Sequence, residues 1–454
     1  MKSKVMGKLA TFVLVATVAL SACMFVGCGG SQKNDNEILI WGGDQWAGNL
    51  ERKVQNFVKY FNDTKSEELG FTIKFEVKTN LTTSVKTDLR NNKAADIVLW
   101  DRFFTPSNTT VLLPLDEMIE NSDADLSVFN SESLREMNVG GSQYGLPVDL
   151  DAWGIFVNMD ILNEYNNGKS GDAVAKLPAT WSELLDTAEK LTVKSGNKVT
   201  RAGLNITSLD GSFYAFAQTA GSSIINLETG MSNVTTPEAL DVITLFESMY
   251  KKPVGEDGLG DEVSFINKKL AMTFGSMFFP ATIEKYTADE LNLKFLPYPA
   301  RDMHLDNGKL VKDDSVTGIT TGTLGGYGLS ILQPDAKFRD AKWEARVQKA
   351  WKVIETWLYS DDLCMKFHTE TETLSARNDL HGEEYFVNHP YIGSILEYID
   401  DYKIRPNVAG YEAFEAQAVR AQIQTLFEGN QNAATTLVNI QTEGDRILKA
   451  AQGK

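Results

Sequence analysis

Apolar positions along the chain follow two rhythms. Glu37-Ile38-Leu39-Ile40-Trp41 is an apolar run of strand length, bounded by polar and glycine residues. Behind it, Leu50, Val54, Phe57, Val58 and Phe61 recur at helical spacing with Glu51, Arg52, Lys53 and Lys59 between them, which predicts an amphipathic helix. Residues 71–77 alternate apolar and polar, the period of a half-buried strand. A more polar helix over 81–91 precedes Asp96-Ile97-Val98-Leu99-Trp100, a buried strand. Strand, helix, strand, helix, strand in this order predicts a parallel α/β sheet with right-handed crossovers. A second α/β region follows Tyr144-Gly145-Leu146-Pro147. There Thr180-Trp181-Ser182-Glu183 has the form of a capping box and opens a helix through Leu184, Leu185, Ala188 and Leu191. Thr236-Pro237-Glu238 opens another, with proline in the first turn. The last third reads as mainly helical, over 345–358 and 413–427 for instance.

At 454 residues, with 43% of them hydrophobic, the chain is globular in composition and too long for one core. Two domains, or two lobes of one fold, are expected. The net charge of -17 repels phosphate backbones and leaves no basic stripe, so nucleic acid is excluded as a partner. The first residues read differently from the rest. Lys2, Lys4 and Lys8 are followed by an apolar run over 9–20 that ends in small residues, the form of a secretory signal and too short to span a bilayer. Leu20-Ser21-Ala22-Cys23 resembles the bacterial lipobox, which makes Cys23 the candidate for lipidation, with Cys28 in Phe25-Val26-Gly27-Cys28 as the alternative. The signal would then be 1–22 (1–27 for Cys28), and 23–36 a flexible polar tether. This places the body outside the cytoplasm, held to the cell membrane by lipid. Cys364 is then the one cysteine left in the body, so no internal disulfide is available. Four histidines without ligand spacing predict no metal, and nothing in the chain calls for a cofactor.

In open α/β sheets, ligands sit beyond the carboxyl ends of the strands. Two loops qualify: Trp41 to Trp46, with Asp44 between, and Trp100-Asp101-Arg102. Each sets indole rings beside carboxylate or guanidinium groups, and a sugar needs that chemistry, because its CH faces stack on rings while its hydroxyls pair with planar polar groups. Asp149, Asp151 and Trp153 alternate, so a strand would put all three on one face. Asp149 and Asp151 also raise the alternative of a glycosidase acid pair. No nucleophile motif accompanies them, and no enzymatic activity is expected.

Taken in order, these features resemble the bacterial extracellular solute-binding proteins of the sugar-binding type, the family of maltose-binding protein, from about residue 37 to the C-terminus. The resemblance is carried by Ala94-Ala95-Asp96-Ile97-Val98, Trp100-Asp101-Arg102 and the run from Gly145 to Gly154. Its most recognisable part is Phe156-Val157-Asn158-Met159-Asp160 leading to Pro178-Ala179-Thr180-Trp181-Ser182-Glu183-Leu184, with Met159 where lysine is usual. Asn267-Lys268-Lys269-Leu270-Ala271-Met272 and Gly325-Gly326-Tyr327-Gly328-Leu329 continue it. It implies a two-lobed α/β fold of the periplasmic-binding-protein type, each lobe a mostly parallel sheet flanked by helices. Crossings near Asp149, Pro297 and Leu332 would join an N-lobe (37–148 and 299–330) to a C-lobe (149–298 and 331–454). By the same resemblance, Asp210, Phe213 and Tyr214 enter the cleft, Phe278 stands where relatives offer tryptophan, and Gly326, Tyr327 and Arg377 lie near the ligand. The implied function is capture of a sugar or oligosaccharide between the lobes and its delivery to the permease of an ATP-driven importer. Two alternatives stay open. One is a polyamine or other non-sugar solute, held by Asp44, Asp101, Asp149 and Asp151. The other is a surface protein that captures glycans without an importer.

Overall fold

The computed structural model describes residues 34–206, 209–251, 262–280 and 291–453. The signal, most of the tether, Cys23 and Cys28 lie outside the described residues, as does the side chain of Asp210. Residues 36–454 form one compact unit.

The opening rhythm becomes the first sheet. Strands β1 (Glu37–Gly42), β2 (Thr72–Val77) and β3 (Ile97–Asp101) run parallel, with β1 between the other two. The helix between β1 and β2, α1 (Asn49–Leu69), buries Val54, Phe57, Val58 and Phe61. It ends at Gly70, whose φ of 73° lets its N–H return to the Ser66 carbonyl. The polar helix α2 (Leu81–Leu89) leads to β3. The sheet is completed by β4 (Leu146–Pro147) and by a strand from far along the chain, Tyr327–Ile331, in the order β2-β1-β3-(327–331)-β4.

A second sheet has eight strands, with β5 (Asp149–Asn158) as its organiser, and three short two-stranded ribbons stand apart from both sheets among the described residues. Further members are β6 (Val193–Ser195), β7 (Lys198–Asn205), β8 (Leu270–Ser276), β9 (Leu293–Leu296), β10 (Thr323–Gly325), then β12 (Leu374–Ser375) and β13 (Lys403–Ile404), where β11 denotes Tyr327–Ile331 of the first sheet. The order is β13-β10-β5-β8-β7-β6, with β9 and β12 also paired to β5. Both sheets are mixed. β1 to β3 are parallel, as are β8 with β7 and β10 with β13, while β5 is antiparallel to each of its partners. The antiparallel pairs of β5 and β11 belong to strands that follow a passage from one sheet to the other, while β6 and β7 form a hairpin within the larger sheet.

Helix α3 (Trp181–Leu191) starts as expected, with the Thr180 hydroxyl accepting from the Glu183 N–H. Helix α4 (Leu209–Thr219) and α5 (Pro237–Lys251) share a second apolar core with α9 below. Helix α6 (Ala341–Tyr359) packs on β1 and β11, and α7 (Asp361–Thr371) packs on α1. Arg346 of α6 is bound to Asp96 at the start of β3, its Nε 2.8 Å from Oδ1, while Asp96 Oδ2 accepts from the Leu39 N–H. This buried, charge-assisted junction fixes α6 across the sheet. The C-terminal helices are α8 (Ala421–Phe427), preceded without a break by a π-helical segment at Phe414–Arg420, and α9 (Ala433–Ala451).

Sheet membership divides the chain otherwise than the expected boundaries. Residues 298–325 stay with the larger sheet, since Tyr298 bridges to Thr321 and β10 pairs with β5. The passage back to the small sheet comes at Gly326, between β10 and β11, where 299–330 had been expected to lie wholly in the N-lobe. Helix α6, expected in the C-lobe, packs on the small sheet, and α7 packs on α1 and α6 beside it. The chain thus changes sheet at Val148, at Gly326 and, through β12, at 374–376.

Candidate functional site

A pocket of about 340 Å³ opens where the two sheets meet. From the small sheet, Asp101 ends β3, and Phe103 and Phe104 follow in a short turn capped by the Asp101 carboxylate, which accepts from the Phe103 N–H at 3.0 Å. From the large sheet come Trp153 on β5, Thr323 on β10, Gly211 near the start of α4 and Arg405 just after β13. The remaining wall is Glu412, Glu415, Ala416 and Arg420, three of them on the π-helical segment. A π-turn inserts one residue into the helical repeat and turns side chains toward a site that an α-helix would not present.

Arg405 joins the two sides. Its Nη2 lies 3.1 Å from both carboxylate oxygens of Asp101, and its guanidinium lies 3.8 Å from the centre of the Phe103 ring. Burial lowers the proton affinity of the guanidinium, but Asp101, Glu415 and Glu136 outweigh that and hold its pKa above the ordinary arginine value. Glu412, by contrast, has its carboxyl raised, chiefly by burial.

Behind the pocket lies a second, drier cluster. Arg102 is fully buried: Nε pairs with Glu136 at 3.1 Å, Nη1 donates to the carbonyls of Asp149 (2.5 Å) and Tyr327 (3.2 Å), and Nη2 donates to that of Gly325 (2.5 Å). Asp149 Oδ1 accepts from the Tyr327 N–H at 2.6 Å, and Asp151 Oδ1 accepts from the Met277 N–H at 3.0 Å. Loss of water pushes both carboxyls up, Asp149 to about 7 and Asp151 to about 8, with Asp149 itself the next contribution to Asp151. Gly326 sits in the midst of this cluster with φ of 132°, and a Cβ there would fall 2.5 Å from the Asp149 carbonyl. Only glycine fits.

Of the residues singled out from sequence, Asp101 and Trp153 line the pocket. Asp149, Asp151, Arg102, Gly326 and Tyr327, expected at the ligand, come together around the crossings and are not on the pocket wall. Phe278 joins Trp46 and Tyr327 in an edge-to-face trio with ring centroids 4.8–5.9 Å apart. The expected stacking by Trp46, Trp100 and Phe213 is corrected to packing, because none of the three has exposed surface. Trp41 is likewise interior, its Nε1 3.3 Å from Glu76. Tyr214 is buried and donates to the Ile404 carbonyl. Asp44 is exposed and accepts from the Asn80 N–H. Arg377 is tied to Asp361, Asp379 and the Leu358 carbonyl, which is a structural assignment. Reasoning from sequence missed Phe103, Phe104, Thr323, Arg405, Glu412, Glu415 and Arg420. Arg405 follows a strand of only two residues, Lys403–Ile404, too short and too polar to leave a strand signal in the sequence.

Comparison with known proteins agrees with this architecture. A Brucella abortus (strain 2308) protein described as a binding protein is 24% identical over 408 residues, 86% of this chain and 90% of that one. A solute-binding protein of an ABC transporter from Thermotoga lettingae, solved with α-D-tagatose, superposes with a TM-score of 0.73 at 19% identity, covering 91% of this chain and all of that one. The cyclic α-maltosyl-1,6-maltose binding protein of Arthrobacter globiformis gives 0.71 at 16% identity, with 91% and 99% covered. The model of the family described as bacterial extracellular solute-binding protein matches residues 47–362, and the chain belongs to that family.

Proposed function

We propose that this protein is the extracytoplasmic, lipid-anchored receptor of an ABC importer, that it captures a sugar or oligosaccharide in the pocket between the sheets, and that it hands the ligand on unchanged. One observation carries the reading: the pocket sets the rings of Phe103, Phe104 and Trp153 against a fixed set of carboxylates and guanidinium groups. Rings stack on the CH faces of a sugar, and the polar groups take its hydroxyls. Asp101 and Trp153 are the ligand-contacting residues already singled out from sequence. The two solved structures above are described as binding α-D-tagatose and a cyclic maltosyl-maltose, which supports the sugar reading.

A polyamine site would need several ionised carboxylates in the pocket. Of the four considered, only Asp101 lines it, paired with Arg405; Glu412 and Glu415 also lie on the wall, so spermidine is the competing ligand that the test must separate. Asp149 and Asp151 are buried, are absent from the pocket wall and each accept from a backbone N–H, which leaves neither placed to meet a substrate bond as a hydrolytic pair must.

Thermal stabilisation by a panel of mono- and oligosaccharides tests the reading, since a ligand at a hundredfold excess over Kd adds about 2.7 kcal/mol to the native state. Sugars should raise the melting point and spermidine should not, and the effect should vanish in Trp153→Ala with its own melting point largely kept. Stabilisation by spermidine alone would reverse the assignment. Lipidation is tested separately, by loss of membrane association in Cys23→Ser but not in Cys28→Ser.

A further inference from the structure

Arg405 is the most constrained polar group on the pocket wall, and it belongs to no feature singled out from the sequence. Three surfaces of its guanidinium are accounted for. One face lies on the Phe103 ring, Nη2 is held by both oxygens of Asp101, and Nε is buried with no hydrogen-bond partner. Nη1 donates to no described residue of the protein. Arg405 lines the pocket, and its side chain is only 17% exposed. A guanidinium clamped in this way has lost its rotamer freedom before any ligand arrives, so a ligand oxygen meeting it incurs little further ordering cost.

The surrounding charges restrict what that oxygen belongs to. Carboxylates of Asp101, Glu412 and Glu415 outnumber the cations Arg405 and Arg420 around the pocket. An anionic ligand would meet net negative charge, and a cationic one would be pressed against the guanidinium. A neutral ring bearing neighbouring hydroxyls offers oxygen acceptors to Arg405, hydroxyl donors to the carboxylates and a CH face to the aromatic rings.

We propose that Arg405, held by Asp101 and Phe103, is the specificity-determining residue of the cleft, and that it selects neutral sugars by donating to a pair of adjacent hydroxyl oxygens. This rests on the sugar-binding reading above. It adds the ligand's charge class and the group that reads it. Asp101 and Phe103 extend from the small sheet and Arg405 from the large one, so the donor stands in register with the ligand only when the two sheets hold their present relation. Asp101 thus acts as a positioning residue for Arg405 as well as a wall of the pocket.

The test uses the whole folded body and a panel of neutral sugars, each with its uronate and amino-sugar counterpart where one exists, plus single-deoxy analogues of whichever neutral sugars bind. Affinities are measured by calorimetry for wild type, Arg405→Met and Arg405→Lys. Arg405→Met keeps the stem on Phe103 and removes the donors. The proposal expects wild type to prefer neutral sugars and to lose at least tenfold in affinity for one or two particular deoxy analogues. It expects Arg405→Met to lose at least tenfold for the parent sugar and to stop distinguishing it from those analogues, with Arg405→Lys recovering neither fully. Sugar binding that is unchanged in Arg405→Met, or a wild-type preference for uronates or amino sugars, overturns the proposal while leaving sugar capture intact. Failure of wild type to bind any member of the panel overturns sugar capture itself, and this proposal with it. The melting point of the unliganded variants separates loss of binding from loss of fold; if Arg405→Met does not fold, Arg405→Lys and the deoxy analogues on wild type decide the matter.

Discussion

Replacing Arg102 by methionine removes four side-chain hydrogen bonds at the point where the chain changes sheet. Methionine fills much of the same volume, so the effect isolates the charge and its donors. What remains is a buried Glu136 without its cation and three carbonyls, of Asp149, Gly325 and Tyr327, each missing a donor. Breaking a buried pair from one side costs about 3–5 kcal/mol, because the surviving partner keeps its desolvation penalty. The carbonyls add to this in part, since a buried acceptor left unmet costs about 1–3 kcal/mol, but that of Tyr327 keeps the Val148 N–H at 2.8 Å and such costs do not simply add.

The loss should also depend on pH in a definite direction. Burial already raises Glu136 to about 7 with Arg102 beside it opposing the shift, and removing Arg102 raises it further. A carboxyl whose folded pKa lies above its unfolded one contributes stability at low pH that is lost as pH rises through the folded value. The gap between variant and wild type should therefore be smallest below pH 7 and widen above it, by up to about 1.4 kcal/mol per pH unit until the new folded pKa is reached. Glu136→Gln in the Arg102→Met background should abolish the widening and recover part of the stability. Urea denaturation followed by tryptophan fluorescence between pH 6 and 9 measures both. A variant within about 1 kcal/mol of wild type at pH 8 would refute the account of Arg102 as the staple of the crossings, and a gap independent of pH would refute the role given to Glu136.

Gly326→Ala should destabilise by about 3 kcal/mol or more, because the side chain is forced into a positive-φ conformation and against the Asp149 carbonyl; equilibrium denaturation at wild-type stability would contradict the geometry. Asp149 and Asp151 hold protons in the fold up to about 7 and 8 that the unfolded chain loses near 4. Their stabilisation is complete below about pH 4 and is lost as pH climbs to 7 and 8, so Asp149→Asn should flatten the fall in melting temperature between pH 4 and 7, and Asp151→Asn that between pH 4 and 8. His368 titrates in the opposite sense. It is buried, hydrogen-bonded to Thr373 and pushed down to about 3, so its neutral form stabilises above pH 6.5 and is progressively lost in acid. His368→Asn should therefore lose less stability than wild type between pH 6.5 and 4, as read from melting curves.

The first sheet was legible because its information is local. Val54, Phe57, Val58 and Phe61 fix the buried stripe of α1 whatever surrounds it, and the alternation of 72–77 fixes the face of β2. Asp101 lies on the pocket wall and Trp100 does not, for one reason. Alternation along β3 sends neighbouring residues to opposite faces, so Trp100 enters the core while Asp101 faces the pocket. Sheet membership of 298–325 was not legible. β10 and β11 are separated by one glycine and read as a single apolar stretch, and only pairing with β5 on one side and β3 on the other tells them apart. The π-helical wall was hidden as well. Residues 413–427 carry an ordinary helical rhythm, and the single extra residue that turns Glu415 and Ala416 toward the pocket leaves no mark in composition.

Asp149 shows why an acidic pair at a strand start is ambiguous until the crossings are placed. In the first crossing its own carbonyl accepts from Arg102, and the carbonyl of the preceding Val148 accepts from the Ala376 N–H. Its carboxylate accepts from Tyr327 in the second crossing, and its backbone pairs with Ser375 in the third. All three passages between the sheets therefore converge on one buried residue, through its backbone and its carboxyl. A rotation of one sheet against the other needs a few residues to absorb the change in backbone angles while both sheets stay rigid. The axis must run close to the point where the linking segments are shortest and nearest together, and here that point is Asp149. A carboxylate that clamps the second crossing to the first through its Oδ1 cannot turn to a ligand hydroxyl without releasing Tyr327. On the proposed reading its place is at the pivot, while Asp101, Trp153 and Arg405 line the pocket one layer outward and are the residues proposed to meet the ligand.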